Sequence, residues 1–370
     1  SRELTLSQYH RALAAQNQSK AGDQWNFFQA KRNRRTSHET TVDVLQATAE
    51  PAPVDAAALE ATARFLEDRF RRVEAGASHL LELLGSTKTS PSTGNSTLHE
   101  AAGRLQQTVR EEAKRAQLAQ NHIHEVLSRD AVRSAWTYLI GNEQPKVQLR
   151  TLTDPQIDQA EQAIRARLPE EDTASLFRKI PQEEIGKAIA TAEANAQVME
   201  HTYEPISEAI GQIQNIVDEQ IRMVRPVQAA LWALETAATD LASDASQEPV
   251  RATVAELTRS GQRLRIAADR LSVGFKATWH AYQARRYKTE TDYNRQAAEM
   301  YEIQVRKSSV LSERHRDRSK NFFYGMLAAQ AGVTIATFSL AMRHKSLLWG
   351  LACLAGASAV AIGLYVHLKV

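Results

Sequence analysis

The sequence predicts an all-α protein: a long antiparallel helical stalk, a distal helical body and a C-terminal two-helix transmembrane hairpin. Three observations predict it. The 370 residues are rich in Ala, Gln, Glu and Arg but hold only 15 Gly and 10 Pro, a helix-favouring composition with little turn material. No window shows the sustained period-2 alternation of a half-buried strand. Two stretches at the end, Asn321 to Met342 and Leu347 to Leu368, contain no Asp, Glu, Lys or Arg. Each is about 22 residues, or ~33 Å as a helix, enough for a bilayer core of ~30 Å.

The elements follow in order. Residues 3 to 49 read as one helix, interrupted only by Gly22 and ended by Pro51 and Pro53. Asp55 is placed to cap a second helix running to about Leu84. The run Gly85 to Thr97, rich in Ser, Thr and Gly, reads as a mobile polar loop. A third helix is expected from about Leu98 to Ile140, ended by Gly141-Asn142 and Pro145. Pro155, Pro169 and Pro181 divide residues 145 to 181 into short helices, with Asp154 as a cap before Pro at the first helical position. The helical run from 182 to about 245 contains Pro205 and Pro226, which are expected to kink or break it. Pro249 opens the last run, with Gly261 and Gly274 as its soft points. Unbroken to Met342 it would be a helix of ~140 Å, which needs a partner along its length.

That partner is expected to be the 3–49 helix, antiparallel to roughly 265–315. Trp25 and Phe28 would then face residues 285–305, where Tyr293 and Met300 supply apolar surface. The expected organisation is an N-terminal stalk helix (1–50), a distal helical body (51–248), a C-terminal stalk helix (249–320) and the transmembrane hairpin (321–370). No repeat of fixed period suggests a solenoid.

The formal net charge of +3 argues against a dedicated nucleic-acid binder. The single cysteine, Cys353, lies within the second apolar stretch, where a free thiol packs as a small hydrophobe. It precludes a disulfide within the chain. The chain begins Ser-Arg-Glu rather than Met, so upstream residues are expected to be missing, and no signal peptide is visible.

Phe322, Phe323 and Tyr324 open the first apolar stretch, and Trp349 and Tyr365 lie near the ends of the second. Amphipathic rings favour such interfacial positions. Arg306, Lys307, Arg314, Arg316, Arg318 and Lys320 precede the first stretch, against Arg343 and Lys345 between the two and Lys369 in the tail. The heavier side is expected to be cytoplasmic, placing the body and C-terminus there. Small residues recur four apart, at Gly332 and Ala336, Ala352 and Gly356, and Ala359 and Gly363, which permits close backbone approach in lipid. Packing of the hairpin on itself and packing between subunits both satisfy this pattern.

The run Ala21-Gly-Asp-Gln-Trp-Asn-Phe-Phe-Gln-Ala-Lys31, followed by Arg32, Arg34 and Arg35, is the most distinctive motif. Trp25 and Phe28 share a helix face. They are expected to form a helix–helix seam with a solvated basic face; gripping anionic headgroups is the other reading. This run resembles a motif in a bacterial family of membrane proteins of unknown function. The motif there sits on a helix directly after a transmembrane helix, and two further transmembrane helices close the domain. Glu313 through Ala341 looks like that closing part. The resemblance covers about residues 5–40 and 290–368, with 54–250 resembling an insertion. It implies an architecture, including a transmembrane helix before Ser1, and no activity.

Catalytic signals are poor. His122 and His124 are two apart, so on a helix their imidazoles diverge by ~200°. No metalloprotease, phosphate-loop or nucleophile-elbow motif occurs. Glu111-Glu112 and Glu183-Glu184 read as solvated faces, and Phe275, Trp279 and Tyr282 as core or stalk seam. Arg263, Arg265, Arg285 and Arg286 read as solvent-facing or paired with acids. No catalytic, cofactor-binding or metal-ligating residue is assigned, and no cofactor is expected. The expected function is a non-enzymatic scaffold in the bacterial inner membrane, with the lipid bilayer and further copies of itself as partners. An accessory subunit of a larger membrane complex is the main alternative, ahead of a helical sensor or a pore-forming protein.

Overall fold

The computed structural model describes residues 2–86, 93–141, 143–151, 154–239, 247–341 and 345–369. Among these the chain is all-α, with nine helices and no strand: α1 (Arg2–Ala49), α2 (Ala56–Ser86), α3 (Thr93–Ser128), α4 (Asp130–Ile140), α5 (Pro155–Arg165), α6 (Glu170–Lys179), α7 (Gln182–Thr239), α8 (Glu248–Ala341) and α9 (Lys345–Lys369).

Local chemistry sets most of the boundaries. After α1, Glu50 takes a positive φ of 41° and the two prolines prevent continuation. The Ala58 N–H donates to Asp55 Oδ1 at 2.7 Å, which caps α2. The Gln156 N–H donates to Asp154 Oδ1 at 2.8 Å ahead of α5, which begins on Pro155. The expected loop at 85–97 is helical at both of its described ends. Gly85 and Ser86 finish α2, residues 93–97 are already helical, and 87–92 lie outside the described residues.

Three expectations about continuity change. The third helix is two helices, because Arg129 adopts an extended backbone (φ −68°, ψ 131°) and starts α4 anew. The prolines of α7 do not break it: Pro205 and Pro226 lie inside one helix of 58 residues. Buried neighbours bracket both, Tyr203 and Ala209 at the first and Met223, Val224 and Val227 at the second, so packing offsets the missing N–H bonds. Gly261 and Gly274 do not soften α8, which runs unbroken for 94 residues. They are contact points: a Cβ at 261 would collide with Leu231, and one at 274 would lie 2.6 Å from the Ala52 carbonyl oxygen.

The chain divides into two compact units, one of Ser1–Ala30, Leu149–Gln197 and Glu290–Val370, the other of Lys31–Gln148 and Val198–Thr289. The core of the second unit joins Leu66, Phe70, Val73, Ala77 and Leu80 of α2 to Leu98, Leu105 and Val109 of α3. Val227, Leu231 and Leu234 of α7 and Val250, Val254, Leu257 and Leu264 of α8 complete it. Alternating steps of three and four place each set on one helix face. The core of the first unit joins Ile157 and Ile164 of α5, Phe177 and Ile180 at the end of α6, and Ile185 and Ile189 of α7 to Met300, Tyr301 and Ile303 of α8. Residues 149–197 therefore pack on the part of α8 in this unit, with Ala21 of α1 in the same core.

Candidate membrane-facing and helix-packing site

Two helical stretches are long and apolar enough to cross a membrane, one in the C-terminal part of α8 and the other Ser346–Leu368 of α9. Of their most apolar windows, 11% and 0% of residues are buried. Phe322, Phe323, Tyr324, Trp349 and Tyr365, the expected interfacial rings, are all exposed. The two helices meet along a narrow seam. On α8 it includes Gly325 and Gly332, seven residues apart, and Ser339, seven further on, is buried. A Cβ at Gly332 would lie 3.3 Å from the Ala352 carbonyl oxygen and 3.4 Å from Ala355 Cβ; one at Gly325 would lie 3.4 Å from Ile362 Cγ2. Gly332 thus packs within the chain, and Ala336 is half-buried beside it. Gly356 and Gly363 differ: a Cβ at either meets nothing within 4 Å. The backbone nitrogen of Gly356 nevertheless lies 3.5 Å from the Cβ position of Gly332, so Gly356 lines the hairpin seam with its backbone while its own Cβ position is open.

The basic flank also divides. Arg316 and Lys320 are exposed, and Lys320 lies 3.8 Å from Asp317. Arg318 is half-buried. Arg306 and Lys307, counted with the flank in the sequence, are structural. Arg306 pairs with Glu302 at 2.7 Å and stacks over Phe177, while buried Lys307 donates to the Ile180 carbonyl, which ends α6. Burial lowers the Lys307 pKa from the ordinary lysine value.

In the first unit α1 pairs antiparallel with α8. His315 Nδ1 lies 2.7 Å from Glu3 Oε2, the Ser7 hydroxyl donates to the Ser312 carbonyl at 3.1 Å, and Lys20 sits 6.0 Å over the Tyr301 ring. Trp25 and Phe28 are half-buried and touch edge-to-face at 5.3 Å, whereas Phe27 is exposed. The residues of α1 that pack inward are mostly polar or small. Ser7, Ala14 and Ala21 recur at seven, and so do His10, Asn17, Gln24, Lys31 and His38. A search for apolar periodicity misses this stripe; a search for the same spacing in small and polar residues finds it.

Several charged residues read as solvated are not. Glu112 is buried at a core step of α3, held by Arg115 at 2.9 Å, and burial raises its pKa. Arg285 donates to the carbonyls of Tyr138 (3.1 Å) and Leu139 (2.9 Å), satisfying the C-terminus of α4. Arg286 donates to Ser207 Oγ at 2.8 Å and stacks over Tyr203 and Tyr287. Both serve as donors to neutral oxygen. Glu183 and Glu184 are on the surface as expected, each bridged to Lys187. Phe275 and Tyr282 are buried and Trp279 half-buried.

The sequence reading did not single out Glu161 and Glu299. Buried Glu299 accepts from Arg165 at 3.1 Å and from Arg295 at 2.8 Å, and Arg165 also pairs with Glu161. Burial, helped by the hydrogen bond that protonated Glu161 donates to Glu299, pushes Glu161 up to about 7. Tyr301 donates to Glu193 at 2.7 Å, and burial pushes its hydroxyl up to about 12. Such groups can lock α5 and α7 onto α8. Between α3 and α7 a cavity of about 590 Å³ has Ile123, Val126 and Ile216 along its walls and Arg115, Arg129 and Glu219 among its polar groups. His122 lines it, while His124 faces Glu60 at 4.0 Å. Among the described residues no three His, Cys, Asp or Glu side chains converge as a metal site would require.

No curated protein and no solved structure matches the chain. Residues 54–125, read from the sequence as part of an insertion, have a counterpart in a family model, whereas 290–368 fall outside it. Residues 4–125, from the polar stripe and Trp25–Phe28 motif of α1 through α2 and most of α3, are similar to a family described as a domain of unknown function (DUF4337).

Proposed function

We propose that this chain is a membrane-anchored, non-enzymatic helical scaffold that assembles with itself in the bacterial inner membrane. One observation carries the reading. Among the described residues, large apolar side chains of the end of α8 and of α9 are exposed, Phe338, Leu340, Leu354 and Leu364 among them. Exposed apolar surface on this scale is unstable in water and stable in lipid. Arg314, Arg316, Arg318 and Lys320 ahead of the first span favour a cytoplasmic body. The open positions at Gly356 and Gly363 admit the backbone of a further copy, which supports self-assembly. Service as an accessory subunit of a larger membrane complex is the alternative with the same anchor.

The test is extraction of the full chain from membranes and weighing of the particle in mild detergent. Carbonate-resistant membrane association and a defined homo-oligomer are expected. Release without detergent overturns the membrane reading, and foreign subunits in fixed ratio replace the scaffold with the accessory role.

A further inference from the structure

The pairing of α1 with α8 rests on little apolar surface. The buried residues of α1 are Ser7, Ala14, Asn17 and Ala21. Between 289 and 308, α8 buries Thr289, Glu290, Thr291, Lys307 and Ser308 beside its apolar residues. Burial of hydroxyls and alanines holds two helices weakly, so the few specific polar contacts decide whether they stay together.

Two histidine pairs stand in this polar stripe, one in each unit. In the second unit His38 Nδ1 lies 2.8 Å from His280 Nδ1, so one ring donates and the other accepts. His38 also stacks on Tyr287 at 5.6 Å and meets Trp279 edge-on at 5.4 Å. In the first unit His10 stacks on His315 at 5.5 Å with the rings 1° from parallel. His10 Nδ1 is buried and has no hydrogen-bond partner among the described residues.

We propose that these pairs make the α1–α8 pairing acid-labile: each holds α1 on α8 only while at least one of its imidazoles is neutral, so acid frees α1 before the rest of either unit opens.

The chemistry is specific to each pair. Doubly protonated, His38 and His280 are both donors and cannot share a hydrogen bond. Two positive charges would also stand in contact. The neighbours do not offset them. Arg34 on α1 stacks over Tyr287, Lys276 and Arg286 are on α8, and Arg286 reaches Tyr203 and Ser207 on α7. Of the nearby acids, Glu39 pairs with Arg35 and Glu200 lies near Lys31.

In the first unit His315 keeps Glu3 as an acceptor when protonated. His10 has Tyr9 at its edge on α1, and His315 and Lys307 on α8 act against its charge. Burial first, and then these charges, lower the pKa of His10; burial lowers those of His38 and His280, with the facing charges adding for His280. A folded-state histidine pKa below its ordinary value makes the pairing complete above about pH 6.5 and progressively lost below it.

The test is hydrogen–deuterium exchange on the full chain in detergent at about pH 7.5 and about pH 5, corrected for intrinsic rate. Protection of α1 is expected to be lost in acid while α2 and α3 keep theirs. His38→Gln with His280→Gln should abolish the fall in peptides covering 31–49, and His10→Gln that in peptides covering 2–30. The exposed Lys276→Gln change, which leaves the seam intact, should shrink the response at 31–49 by removing one facing charge. Protection of α1 that is unchanged in acid, or lost together with that of α2 and α3, overturns the proposal. So does a Lys276→Gln response identical to that of the wild type.

Discussion

Gly274 of α8 lies directly against Ala52, in the segment between α1 and α2: a Cβ at 274 would stand 2.6 Å from the Ala52 carbonyl oxygen and 2.8 Å from Val54 Cγ2. Backbone cannot yield as a side-chain tip can. Gly274→Ala is therefore expected to cost about 1–3 kcal/mol of stability, more than the ~1 kcal/mol that alanine gains in helix propensity. Gly186→Ala, where a Cβ meets nothing within 4 Å, should be stabilising. Chemical denaturation followed by circular dichroism compares them; equal stability of Gly274→Ala and the wild type contradicts the close approach.

The Glu161–Glu299 pair predicts a pH dependence of opposite sign to that of the histidines. Glu161 is raised from 4.5 to about 7, chiefly by burial. The folded state therefore holds a proton that the unfolded state releases. Its contribution is complete below about pH 4.5 and is lost as pH rises through about 7, on the order of 3 kcal/mol in all. Glu161→Gln keeps a neutral donor beside Glu299 and removes this loss. The difference in unfolding free energy between variant and wild type should move in favour of the variant between about pH 5 and pH 8, while the histidine contribution cancels. A difference that stays flat with pH excludes a shared proton.

The apolar helices predict two separable mutant classes. Gly332→Leu has no room against Ala352 and Ala355 and should destabilise the hairpin itself by about 1–3 kcal/mol, seen as a lower melting temperature in mild detergent. Gly356→Leu with Gly363→Leu meets open space within the chain and should leave that temperature unchanged while shifting the native mass toward the monomer. A fully assembled double variant removes self-assembly from the proposed function.

The readable parts of this molecule are those whose chemistry is local or strongly apolar. Asp55 and Asp154 read as caps because a short side-chain oxygen before a helix meets unsatisfied N–H groups whatever the rest of the fold does. Pro51 and Pro53 read as an end to α1 for an equally local reason. Similarity to a family of unknown function was legible near the start of the chain, although the matched region extends through residues whose sequence resembles an insertion. Arg129 did not read as a break, since no proline or glycine marks it. Pro205 and Pro226 misled because neighbouring packing outweighs the bonds they remove. Glu112 was read as solvated from its acidic neighbour Glu111, yet it sits at an inward step three residues after Val109.

By itself the sequence determined the helical class, the two uncharged apolar stretches and the caps, because helix propensity, hydropathy and N–H satisfaction act over a turn or a continuous run. Only the tertiary structure decided which face of α1 turns inward, that residues 149–197 pack on α8, and that His38 meets His280, 242 positions away along the chain. It also decided which glycines are contacts and which are open, since Gly274 and Gly186 are equally small and differ only in what lies opposite. Those outcomes depend on shape complementarity between distant segments, and small or polar residues carry no strong signal of their partner until the partner is in place.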